Sequence, residues 1–162
     1  MEKSRKVSAF SIIMTLITAV FTGFIFFHSC LNADASDGES IALLNIINRF
    51  FNSMGIPLEF SNFIVRKLAH FSEFGVLAVL LTVTFYSYGN FPLKKTPQIL
   101  FVCLFCACID ETIQIFTPGR ASLVTDIWVD FCGSVTALIL TSIVIAIIEK
   151  HKRKKLLKSA AD

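Results

Sequence analysis

The chain alternates between long stretches free of Asp, Glu, Lys and Arg and short stretches rich in them. One uncharged stretch covers about residues 9–31, a second runs from Phe74 to Phe91, a third covers Ile99–Ile109, and a fourth runs from Phe131 to Ile148. The hydrocarbon core of a bilayer is about 30 Å thick and needs about 20 residues of apolar helix to cross it. With their polar ends included, the stretches predict four membrane spans over about 9–31, 63–88, 98–117 and 123–148. Between the first and second spans, Asn32–Glu39 reads as a polar loop. The segment that follows, about 40–54, has apolar residues at Leu43, Ile46, Ile47, Phe50 and Phe51, which is helical spacing. Ser40 is placed to cap its start, and Gly55 with Pro57 marks its end. It is too short and too polar to span, so it is expected as an amphipathic helix lying on the outer surface. The fold class is therefore all-α: one membrane domain over residues 1–162, with four spans, one short extracytoplasmic helix and a basic tail over 149–162.

Composition agrees with the pattern. The chain is 162 residues long and 54% hydrophobic, above the roughly 45–50% of soluble domains. Its 17 Phe suit lipid-facing and helix-packing surfaces, and the sparse Trp with abundant Lys, Phe and Ile suggests an AT-rich coding sequence. The net charge of +3 matters less than where the charges fall. Lys3, Arg5 and Lys6 precede the first span, Lys94 and Lys95 lie between the second and third, and Lys150, Lys152, Arg153, Lys154, Lys155 and Lys158 follow the fourth. Four spans put all three groups on one side, and cytoplasmic loops are the ones enriched in Lys and Arg. Both termini are thus expected in the cytoplasm, and membrane topology accounts for the basic tail without any nucleic acid partner. Ala33-Asp34-Ala35 also has the form of a leader cleavage site, but the first apolar run is longer than a usual leader core. Either reading leaves the remaining topology unchanged.

Charged residues inside spans are costly and rarely accidental. Here they fall in one layer. The second span carries Arg66, Lys67, His70 and Glu73 near its outer end. The third carries Asp110, Glu111 and Gln114, followed by the turn Pro118-Gly119 and Arg120, and the fourth begins with Asp126 and Asp130. At a rise of 1.5 Å per residue, Asp110 and Glu111 lie roughly 10 Å below the outer turn. The i, i+4 pairs His70 with Arg66, Gln114 with Asp110 and Asp130 with Asp126 each define one helix face. Gly75, Ala78, Ala107, Gly133 and Ala137 are small enough to let the helices approach closely. The expected product is a polar pocket opening outward, lined by Lys67, His70, Glu73, Asp110, Glu111, Gln114, Arg120, Asp126 and Asp130.

Several chemistries fit such a pocket. His70, Glu73, Asp110 and Glu111 are candidate ligands for a divalent cation and candidate acid/base groups. Arg66, Lys67 and Arg120 suit an anionic head group. The structural alternative is an ion-pair lock, with Arg120 on Glu111 and His70 on Asp110. The surplus of polar groups, with its acidic excess, favours a site over a lock. No Ser-His-Asp, P-loop or HExxH pattern is present. Cys103, Cys106 and Cys108 lie in an apolar run with no second CxxC to complete a metal site, so they read as small packing residues, as does Cys132, and with Cys30 they give no disulfide framework.

Lys67-Leu68-Ala69-His70-Phe71-Ser72-Glu73-Phe74, then Asp110-Glu111-Thr112-Ile113-Gln114-Ile115-Phe116-Thr117-Pro118-Gly119-Arg120, then Asp126, Asp130 and Gly133 resemble the VanZ-like family of small bacterial membrane proteins. The matching pieces extend from Lys67 to Gly133, about half the chain. The family often carries Asn where this chain has Asp130. The resemblance implies a multi-pass protein of the bacterial plasma membrane. The family's namesake is associated with resistance to teicoplanin, a glycopeptide that acts outside the cell on the peptidoglycan precursor, and no reaction is attached to the family. The combined expectation is a protein that binds or modifies a lipid-linked cell-wall precursor or an amphiphilic antibiotic. Its rivals are a metal-assisted hydrolase or transferase of lipid head groups and a small transporter, the last disfavoured because the inner halves of the spans offer no comparable polar path.

Overall fold

The computed structural model describes residues 8–31, 33–55, 60–120 and 122–159. Lys3, Arg5, Lys6, Asn32 and Pro57 lie outside the described residues. Among those described there are five helices and no strand: α1 (Ala9–Ser29), α2 (Ala33–Ser53), α3 (Asn62–Ser87), α4 (Pro92–Ile115) and α5 (Val124–Ser159). Helices α1, α3, α4 and α5 are long and apolar enough to cross a membrane.

Three boundaries differ from expectation. The segment read as a polar loop after α1 is the first part of α2, which starts at Ala33 rather than after Ser40. Alanine and glutamate have high helix propensity, and acidic residues suit the start of a helix, so a polar, acidic stretch of this composition is compatible with helix as well as loop. Helix α4 starts at Pro92, not near Gln98, with Pro92 in its first turn, where the missing N–H costs nothing. Lys94 and Lys95 therefore belong to the start of the helix rather than to a loop. Helix α5 continues through the basic tail to Ser159. Its 36 residues make a rod of about 54 Å, so its end extends well past a hydrocarbon core of about 30 Å.

Helix α3 is the hub. It packs against α1, α2, α4 and most extensively α5. Phe74, Leu77, Ala78 and Leu81 of α3 meet Ile99, Cys103, Cys106 and Ala107 of α4, Leu138 of α5 and Ile25 of α1 in one buried core. Cys103 and Cys106 are core side chains, and all five cysteines are free thiols. The outward faces carry exposed Val20, Phe24 and Phe27 on α1, Phe101 and Phe105 on α4, and Ile139, Leu140 and Val144 on α5. Faces this apolar belong against lipid, not water.

Helix α1 joins the bundle through a seam of hydroxyls that the uncharged pattern conceals. Ser11 Oγ donates to the Ser87 carbonyl at 3.0 Å, Thr15 Oγ1 lies 3.1 Å from Tyr88 Oη, and Thr18 Oγ1 lies 2.9 Å from Thr84 Oγ1. These contacts pair the start of α1 with the end of α3. At the other end of α1, Ser29 meets Asp110 near the end of α4. The bundle thus has two unlike ends. One holds the last turns of α1 and α4 and the first turns of α3 and α5. The other holds the start of α4, with Lys94 and Lys95, and the basic end of α5.

Candidate functional site

The polar residues expected to converge do so at the end of the bundle opposite the lysines. What brings α3 and α5 together there is Gly133. A Cβ built on it would stand 2.1 Å from the carbonyl oxygen of Phe71, a distance no side chain tolerates, so only glycine permits this crossing. His70 precedes Phe71, and Asp130 lies one turn before Gly133. The close approach sets His70 Nδ1 3.7 Å from Asp130 Oδ1.

Much of the Asp110–Arg120 segment ties helix ends together. The last carbonyls of a helix lack partners within it. Gly119, at φ 76°, turns the chain after α4, and the Arg120 N–H bonds the Thr117 carbonyl at 3.2 Å. The turn lays Thr117 and Arg120 against the end of α1. Arg120 Nε donates to the Leu31 carbonyl and its Nη2 to the His28 carbonyl, both at 3.1 Å. Thr117 Oγ1 donates to the Ser29 carbonyl at 3.0 Å. A fork of donors matched to two carbonyls is a task for arginine rather than lysine. Glu111 serves the neighbouring helix: its Oε2 accepts the Leu123 N–H at 3.1 Å, just before α5 begins. Neither pair of the expected lock forms among the described residues: Arg120 clasps backbone carbonyls at the end of α1, and His70 faces Asp130.

Asp110 is fully buried and held on both oxygens. Ser29 Oγ donates to Oδ1, and Gln114 Nε2 donates to Oδ2 at 2.8 Å. Asp126, in the first turn of α5, accepts from Lys67 Nζ, and Thr125 Oγ1 donates to it at 3.1 Å. The Lys67 ammonium also lies 5.2 Å from the centre of the Phe63 ring. Glu73 Oε1 is 3.6 Å from His28 Nδ1. Asp130 differs from all of these. It is 0% exposed, yet neither carboxylate oxygen has a hydrogen-bond partner among the described residues. His70 Nδ1 and Glu111 Oε1 are buried in the same condition.

All nine expected residues lie at this end, but they divide. His70, Asp110 and Asp130 form a buried group in which one ligand atom from each lies within 4.8 Å of the others. Lys67 and Glu73 sit around it and retain some exposure, and Asp126, itself buried, pairs with Lys67. Glu111, Gln114 and Arg120 hold helix ends or orient Asp110. In the cation group, Asp130 thus stands where Glu73 and Glu111 were expected, because Glu73 turns to α1 and Glu111 to α5. Sequence reasoning missed His28 and Ser29. Both were absorbed into an apolar run, although an adjacent His and Ser at its end nearest the acidic residues is a usable signal.

A family model described as VanZ/LLP1 matches residues 11–145, from the first turns of α1 to well along α5. No curated protein and no solved structure matches the chain.

Proposed function

The chain belongs to the VanZ/LLP1 family, and from that premise we propose that it binds the polar head of a cell-envelope component at the outer leaflet of the bacterial plasma membrane. The carrying observation is the meeting of ionisable side chains from α1, α3, α4 and α5 at the bundle end opposite Lys94, Lys95 and the basic end of α5. The positive-inside rule puts that end outside the cell. Lys67, Glu73 and His28 form the partly exposed rim that would meet a ligand, with the buried Asp126 paired to Lys67. The fully buried Asp110 and Asp130 lie beneath it as the floor. Helix α2 supports a place at the lipid surface: Leu43, Ile46 and Phe50 are exposed at helical spacing, an apolar face suited to the boundary between head groups and acyl chains. A lipid-linked wall precursor and an amphiphilic glycopeptide such as teicoplanin both pair a polar head with an apolar part, which fits a polar rim set in an apolar wall.

A second reading, hydrolysis or group transfer on a lipid head group, is favoured by one observation, the closeness of His70, Asp110 and Asp130. It needs a bound cation.

The test is binding of teicoplanin and of a lipid-linked peptidoglycan precursor to the chain in nanodiscs. The wild type is expected to bind one of them, and Lys67→Gln to bind it about tenfold more weakly, the loss of one charge-assisted hydrogen bond. No binding by the wild type, or equal binding by a folded Lys67→Gln chain, contradicts the proposal.

A further inference from the structure

We infer that His70, Asp110 and Asp130 form a site for one divalent transition cation of the Mn²⁺ or Zn²⁺ class. Three helices supply one donor each, and the donors lie within 4.8 Å of one another. Proximity alone would not make a site; the state of Asp130 does. A buried carboxylate is held by hydrogen bonds or by a cation. Asp130 is 0% exposed, and neither of its oxygens has a hydrogen-bond partner among the described residues. The nearby imidazole shares this state: His70 Nδ1 also lacks a hydrogen-bond partner among the described residues and lies 3.7 Å from Asp130 Oδ1. Each of these two residues also has a ligand atom within 4.8 Å of one on Asp110. Asp110 completes the set from α4. Ser29 and Gln114 each occupy one of its oxygens, and each oxygen keeps a further lone pair. Carboxylates that bind metals are commonly oriented by such outer hydrogen bonds.

Charge and ligand type point the same way. Two buried carboxylates repel unless a proton or a cation separates them, and one dication neutralises two. One imidazole nitrogen with two carboxylate oxygens suits Mn²⁺ or Zn²⁺ better than Ca²⁺, which takes oxygen ligands. Metal–ligand distances of about 2.0–2.2 Å require the three donor atoms to draw closer together than the 4.8 Å limit within which they stand. Three protein ligands leave coordination positions open, and water or an anionic oxygen would complete them. The cation goes beyond the head-group reading, and it gives the buried floor a means of holding an anion that the rim delivers.

The test uses tag-free chain stripped with chelator and reconstituted in nanodiscs of neutral lipid. MnCl₂ or ZnCl₂ is added, excess is removed by gel filtration, and retained metal and thermal midpoint are measured. Stoichiometric retention of Mn²⁺ or Zn²⁺ with a raised midpoint is expected, and CaCl₂ is expected to give neither. His70→Gln and Asp130→Asn should each weaken retention about tenfold or more, while Glu149→Gln at the other end of the bundle changes nothing. Absence of retention by the wild type overturns the site, as does retention that both folded variants preserve. Lys67→Gln, which tests head-group binding, removes no metal ligand, and His70→Gln and Asp130→Asn, which test the metal, leave Lys67 in place, so the two proposals can fail separately.

Discussion

The backbone of Phe71 in α3 and the α-carbon of Gly133 in α5 are so close that a Cβ on Gly133 would stand 2.1 Å from the Phe71 carbonyl oxygen. By contrast, a Cβ on Gly75 would meet only ordinary contacts, the Gly133 carbonyl at 3.6 Å and Ala137 Cβ at 3.7 Å. Gly133→Ala must push α3 from α5, with a cost of at least the about 1–3 kcal/mol typical of overpacking, whereas Gly75→Ala should be near neutral. Thermal unfolding of the two variants in detergent should separate them clearly, and equal midpoints would contradict the close crossing.

Arg120 holds the carbonyls of His28 and Leu31 at the end of α1. Arg120→Lys keeps the charge but loses the two-pronged geometry, and Arg120→Ala loses both. Faster amide exchange and easier proteolysis near residues 28–31 are expected in both variants, with a stability loss of about 1–3 kcal/mol for Arg120→Ala. Unchanged exchange there in the two variants would show that the clasp does not hold α1.

Lys67 and Asp126 join α3 to α5 in a partly buried ion pair. Removing either partner leaves the other charge in a dry setting, so the single changes Lys67→Gln and Asp126→Asn should cost more than the pair is worth. A double-mutant cycle should give a coupling of about 0.5–3 kcal/mol. Additive effects would mean the two groups act independently.

The proposed topology can be read from thiols. Cys30 is exposed at the bundle end that carries the site, and His151 is exposed at the other. With Cys30 as the sole thiol, a membrane-impermeant maleimide should label intact cells. With His151→Cys as the sole thiol, it should label only after lysis. The reverse pattern would turn the acidic end toward the cytoplasm.

The spans were legible because crossing a bilayer imposes a length and a composition, and both are one-dimensional. Gly55, Gly89 and Gly119, each with positive φ, mark turns that the sequence also announces. Topology put His70, Asp110 and Asp130 in one layer with six other polar residues, since antiparallel spans set those positions at one level, but it did not single out these three, and Glu73 and Glu111 were expected in place of Asp130. The partners were not legible. That Arg120 would take carbonyls of α1 instead of Glu111 depends on how the Pro118-Gly119 turn is aimed, and no periodicity encodes that. The start of α2 was concealed because charges that commonly mark a loop also stabilise the first turn of a helix. Ser11, Thr15 and Thr18 were hidden among apolar neighbours, although they form the seam that seats α1.

The central claim is that the buried group beneath the rim, His70 with Asp110 and Asp130, is a working site rather than a lock. Teicoplanin tolerance of cells expressing His70→Gln or Asp110→Asn, normalised to the amount of folded protein in the membrane, tests it most directly. Wild-type chain is expected to raise tolerance, and both variants to lose the effect at unchanged membrane levels. Full tolerance in both variants, or loss only in proportion to lost protein, would contradict it.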